Sequence, residues 1–180
     1  MSDNDAKYLD AFAAWLRTLG EDAEALSGAL GSDAADEVKQ AVAGGLNYLF
    51  KSLDLIPDGI DDIGYLDDAF VLRVAADLAK QSPEQGDAAA VIDRLSEEAA
   101  VVKDFLGESY PRLEAYVGGL RTGAARGRTV QEILAKEEML EEFLSDVKGF
   151  NGSYQAPGFN RDAKNLIKLK AFFDAKLPKS

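Results

Sequence analysis

Residues 87–107 read DAAAVIDRLSEEAAVVKDFLG, and this stretch decides the fold class. Ala88, Val91, Ile92, Leu95, Ala99, Val102 and Leu106 recur at spacings of three and four, which places them on one face of a helix. Asp87 stands where such a helix opens, and Gly107 stands where it closes. The same period extends in both directions. Upstream, Leu66, Phe70, Val74 and Leu78 predict a helix from near Leu66 to about Lys80. Ahead of that, Ser32 reads as the N-cap of a helix carrying Ala35, Val38, Val42, Leu46, Leu49 and Leu53. That helix should end near Leu53, because Ile56 precedes Pro57 and is pushed away from helical dihedrals. At the start of the chain, Tyr8, Phe12, Trp15, Leu16 and Leu19 form a stripe ended by Gly20. A short segment from Glu21 to Leu30 then stops at Gly31.

Downstream, Pro111 suits a helix first turn, and Leu113, Tyr116, Val117 and Leu120 continue the pattern. Thr129-Val-Gln-Glu132 has the form of a capping box. The helix behind it should bury Ile133, Leu134, Leu140, Phe143, Leu144 and Val147 and close at Gly149. After the loop from Asn151 to Asn160, a last helix over 162–176 carries Leu166, Leu169 and Phe173, with Leu177 beyond it. The expectation is an all-α protein: one compact domain over 1–180, a bundle of about seven or eight helices, with no convincing strand.

Composition agrees. Ala (28) and Leu (22) dominate, while Val, Ile and Thr together number 19, so helix formers outweigh the residues that fill sheets. A chain of 180 residues buries about 70% of its unfolded surface, and the 47% apolar share is ample for a core. There is no His and no Cys. This excludes Ser-His-Asp and Cys-His catalysis, His or Cys zinc sites, thiolate chemistry and disulfides. The acidic N-terminus lacks the order of a secretory signal, and Gln40 to Phe50, the longest uncharged run of the first half, is too short to span a bilayer. A soluble, cytoplasmic protein is expected.

The formal net charge is -12, unevenly placed: residues 1–100 hold 21 acidic and 7 basic side chains, and residues 101–180 hold 11 and 13. An acidic front half argues against nucleic acid as a partner. It argues equally for a basic protein as one.

One connection is dense in Asp. Between Asn47 and Asp68 lie Tyr48, Asp54-Leu55-Ile56-Pro57-Asp58 and Gly64-Tyr65-Leu66-Asp67-Asp68, so six carboxylates (Asp54, Asp58, Asp61, Asp62, Asp67 and Asp68) fall within fifteen residues. This resembles the signature of the YkvA-like domain of unknown function, over about residues 38–80. Ser52 and Asp61 depart from it, standing where the family commonly has Pro. The family is mainly bacterial, sometimes lies beside membrane segments, and has no established biochemical role. The resemblance implies a central helical hairpin and supplies no activity.

Physically, the six Asp residues serve first as punctuation. Asp54 can accept N–H bonds in the turn around Pro57, and Asp67 and Asp68 complement a helix dipole at about 0.3–1 kcal/mol each. Asp61 and Asp62 would face water. Alternatively Asp54, Asp58, Asp67 and Asp68 converge as hard oxygen ligands for Mg²⁺, Mn²⁺ or Ca²⁺. The EF-hand spacing is not met, since Ile56 and Tyr65 occupy positions that need ligands. Only Lys51 and Arg73 flank the group as cations.

Three further features invite a function. Arg121, Arg126 and Arg128 precede a helix without forming a phosphate loop, and are expected to lie solvated. The 162–176 helix is basic and amphipathic, with Arg161, Lys164, Lys168, Lys170 and Lys176; it is expected to dock on its own bundle, with peripheral membrane contact as the alternative. Tyr154 and Phe159 are either interface anchors or a satellite cluster. Together these readings favour a non-catalytic interaction or scaffolding module with an acidic face. The alternatives are a divalent-cation-binding protein or metal-dependent hydrolase using the four Asp residues, and an acidic inhibitor or immunity partner of a basic protein.

Overall fold

Leu66–Ala79 lies at the middle of the molecule because it has no polar face to give to water: every residue from Leu66 to Ala76 is buried. The computed structural model describes residues 2–51, 55–56 and 63–179. In chain order its helices are α1 (Asp3–Ser27), α2 (Asp36–Tyr48), α3 (Leu66–Ala79), α4 (Ala89–Leu106), α5 (Tyr110–Gly119), α6 (Val130–Ala135), α7 (Glu137–Ser153) and α8 (Ala163–Lys176). A two-stranded antiparallel ribbon, β1 (Ala124–Ala125) with β2 (Arg128–Thr129), is the one departure from an all-helical chain among the described residues. Among the described residues, no helix is long and apolar enough to cross a membrane.

α3 packs most extensively against α2 and α4, and α1 and α5 also lie against it. The α2–α3 contact is close because Gly45 has no side chain: a Cβ there would stand 2.7 Å from that of Ala75. At the other side, Phe12, Trp15, Phe70, Phe105 and Phe173 form a continuous aromatic cluster, with Phe70 stacked on Phe173 at 5.1 Å. α8 is thereby docked on the bundle through Leu166, Leu169 and Phe173, as its apolar stripe predicts.

Several boundaries differ from the sequence expectation. α1 runs straight through Gly20, because Leu19, Ala23 and Leu26 keep its buried face continuous. Gly20 is where α7 crosses: a Cβ would meet Asn151 Oδ1 at 2.6 Å. Ser32 does not cap α2. Its hydroxyl donates to the Ala29 carbonyl (3.0 Å) and accepts from the Asp87 N–H (3.4 Å), so the helix starts four residues later, after Ala35. α2 ends at Tyr48 in tight turns reaching Lys51, and the expected end at Leu53 lies outside the described residues.

The capping box is present, with Thr129 Oγ1 accepting from the Glu132 N–H at 3.0 Å and Glu132 Oε1 accepting from the Thr129 N–H at 3.2 Å. The helix it opens stops at Ala135, where Lys136 turns extended (φ -114°, ψ 117°), and α7 starts afresh. α7 then continues past Gly149 to Ser153, whose hydroxyl donates to the Gly149 carbonyl.

Candidate functional site around the Asp-rich connection

The signature residues Tyr48 and Asp67 come from the end of α2 and the start of α3, and they meet in the interior. The Tyr48 hydroxyl donates to Asp67 Oδ2 at 2.6 Å and accepts from the Leu55 N–H at 2.7 Å. The Ile56 N–H adds a bond to the same carboxylate oxygen at 3.3 Å. All four residues are buried. One phenol and one carboxylate thus satisfy two backbone donors of the connection and fix its path between the helices. Burial, then the nearby charges of Asp67 and Asp68, push the Tyr48 phenol far above its usual value.

Asp68 is buried too. Its charge acts, after burial, to raise the Tyr154 phenol. Tyr154 packs edge-on to Tyr65 at 5.4 Å and stacks on Phe150, and its hydroxyl donates to the Leu16 carbonyl at 2.6 Å. Of the two readings left open by the sequence, Tyr154 takes the satellite-cluster one, and it ties the end of α7 to the signature. Tyr65 itself holds a left-handed backbone (φ 69°) immediately before α3. That conformation is uncommon for a bulky side chain and is stabilised here by the packing around it.

Asp54, Asp58, Asp61 and Asp62 lie outside the described residues. Among the described residues, no three acidic side chains come together in a way that holds a metal ion. Asp67 and Asp68 do not simply face a helix dipole from the surface; the fold withdraws both from water.

Arg73, read from sequence as a counter-charge to the Asp group, turns elsewhere. It is fully buried, and its NH2 lies 3.0 Å from Glu98 Oε1 and 3.3 Å from Asp22 Oδ2. NH1 donates to the Ala69 carbonyl, and the guanidinium lies 4.2 Å from the centre of the Trp15 ring. Arg94 completes the network at 2.5 Å from Asp22 Oδ1, and Thr18 donates to Asp22 Oδ2. Burial lowers the Arg73 value to about 10 despite its two carboxylate partners. Sequence reasoning missed Asp22, Arg94 and Glu98. The available signal was Arg73 itself, the lone cation of a helix whose neighbours at 69–72 and 74–76 are all apolar, which requires partners from elsewhere. Lys51, the other flanking cation, points at the Tyr116 ring, 5.5 Å from its centre.

The three arginines expected to lie in a solvated loop divide. Arg121 and Arg126 are exposed, but Arg128 is buried, 2.8 Å from Asp146 and 5.3 Å from the centre of the Phe143 ring. The hairpin turn at Arg126 and Gly127 (φ 52° and 76°) aims Arg128 inward at α7.

At the far end of α1, two loops abut. The Ala35 N–H donates to the Glu84 carbonyl at 2.8 Å, alongside the Ser32–Asp87 bond. This contact gathers Asp33, Asp36, Glu37, Glu84 and Asp87, all exposed and none ion-paired among the described residues.

No curated protein and no solved structure matches the chain. The remainder of the chain outside the signature matches no family either. Residues 38–73, the segment holding Tyr48, Asp67, Asp68 and Arg73, match the protein family of unknown function DUF1232, to which the YkvA-like domains belong.

Proposed function

We propose that the protein is a non-catalytic interaction module, cytoplasmic in setting, whose acidic end docks a basic protein partner. The observation that carries this reading is the abutment of the 28–35 and 81–88 loops at the start of α2, which gathers five exposed carboxylates that make no ion pair among the described residues. Such a surface steers and orients a cationic partner. The signature supports the reading from inside, since Tyr48 and Asp67 are engaged in holding the connection. An inhibitor or immunity partner of a basic protein is one form this module can take.

The test is affinity capture from the native host at about 50 mM salt, repeated with Asp33→Asn/Asp36→Asn/Glu84→Gln. A partner should be retained by the wild type, lost with the variant, and released near 0.5 M salt, where the screening length falls to a few ångströms, roughly 4. Retention of the same proteins by the variant sinks the reading.

A second reading follows from the burial of Asp67 and Asp68: carboxylates withdrawn from water beside Asp54 and Asp58 in sequence could ligate Mg²⁺, Mn²⁺ or Ca²⁺. Cation at about 100 times its dissociation constant should then add about 2.7 kcal/mol to unfolding stability. Asp68→Asn should abolish that gain, whereas an effect matched by NaCl assigns it to ionic strength alone.

A further inference from the structure

α8 leaves one stripe of its surface outside the bundle. Lys164, Ile167, Lys168 and Ala171 follow at three- and four-residue steps and are all exposed. Ile167 is 70% exposed, the one large apolar side chain so placed among the described residues. Among the described residues, none of Lys164, Lys168, Lys170, Lys176 and Lys179 makes an ion pair, whereas neighbouring Arg161 does, with Asp10. The stripe is an isolated apolar knob between cations.

A second surface carries its complement. A groove of about 850 Å³ opens between the start of α2, the end of α3 and the end of α5. Ala41, Leu78, Pro83 and Val117 give it apolar walls, and Glu37 and Arg121 also line it. Glu84 adjoins Pro83 in the chain, and Asp33 and Asp36 stand just ahead of Glu37, so exposed carboxylates flank the groove on the α2 and Pro83 side and outnumber Arg121. The two surfaces do not meet within one chain: Ile167 stays 70% exposed and is not among the residues that line the groove.

The geometry points to a second copy of this chain as the occupant of the groove: Ile167 of one molecule enters between Leu78 and Val117 of the next, with Lys164 and Lys168 against the flanking carboxylates. This rests on the acidic-end reading above and names one partner for that end. Charge complementarity selects the pairing, because two α8 stripes repel one another and so do two sets of flanking carboxylates. The knob and the groove lie on different surfaces, so the contact is head-to-tail and leaves both outer ends free. A single helix stripe in a groove is a small interface, so association is weak and reversible.

Sedimentation velocity on the full chain tests this. At about 20 mM NaCl the mean sedimentation coefficient should rise with concentration, and at about 500 mM it should not. Ile167→Asp on the α8 face and Glu37→Lys/Glu84→Lys on the groove face should each weaken association at least roughly tenfold. Every substituted side chain is exposed, and Lys164→Glu/Lys168→Glu serves as an independent α8 variant. Mixing the two kinds of variant restores one intact contact, so the mixture should form pairs that stop at two chains. A wild type that stays monomeric at every concentration overturns the proposal. So does self-association that survives either variant, or a mixture that restores nothing. The host-capture experiment stands apart: if it succeeds while the chain sediments as a monomer, self-docking fails and the acidic-end reading holds.

Discussion

Two polar clusters hang from α3, and they are built on opposite principles. At its N-terminus, Asp67 works through hydrogen bonds with Tyr48 and Ile56, all supplied by a stretch of twenty residues from 48 to 67. One and a half turns further on, Arg73 works through ion pairs to Asp22 and Glu98, brought from α1 and α4. The first cluster shapes a local connection; the second fastens three helices. A buried network assembled from distant chain segments forms only when the whole bundle closes, whereas a local one can be loosened with the bundle intact.

The largest effect should come from Arg73→Met, which leaves Asp22 and Glu98 facing a dry, uncharged side chain. Urea unfolding should show a loss of about 3–5 kcal/mol. A loss below about 1 kcal/mol would mean that the ionic cluster does not fasten the three helices. Tyr48→Phe comes next, at about 2–4 kcal/mol, since it strips a partner from both the Leu55 N–H and Asp67. Its signature is local: amide exchange at Leu55 and Ile56 should accelerate more than that of α4, and uniform acceleration would contradict the division drawn here.

Alkaline pH separates the clusters by sign. The Tyr48 and Tyr154 phenols are raised in the fold, so the stability they lend is complete below about pH 10 and lost above it, where only the unfolded chain ionises. Arg73 acts in the other direction. Its folded value is lowered from 12.5 to about 10, so its burial penalty eases as pH climbs past 10. Between pH 10 and 11, Tyr48→Phe should flatten the wild-type decline by up to about 1.4 kcal/mol per pH unit. Parallel curves for the two proteins would show that the phenol is not held neutral. The smallest effect belongs to neither cluster: Thr129→Ala, at the capping box of α6, should cost about 1 kcal/mol, measured as a shift in the urea midpoint at constant m-value.

What the sequence made legible follows the same divide between near and far. Apolar periodicity located α3, α4 and α8 to within a residue or two, because burial of a stripe is a local property of the helix that carries it. The Tyr48-to-Asp68 signature was equally visible. Gly20 misled because a glycine at a helix crossing reads in sequence like one at a helix end. The Arg73 network was invisible because its members are separated by 51, 25 and 72 positions. No local pattern encodes which acid a buried guanidinium will find. Arg128 escaped for a related reason, since a two-residue turn decided which way it faced.

Trp15 is the chain's single tryptophan, and the fold has seated its indole directly under the Arg73 guanidinium. Its emission is therefore a resident optical gauge of the ionic network. Burial of the indole should give a blue-shifted spectrum in the closed bundle. A red shift that precedes the loss of helical circular dichroism would time the opening of the α1–α3–α4 junction, with no label added to the molecule.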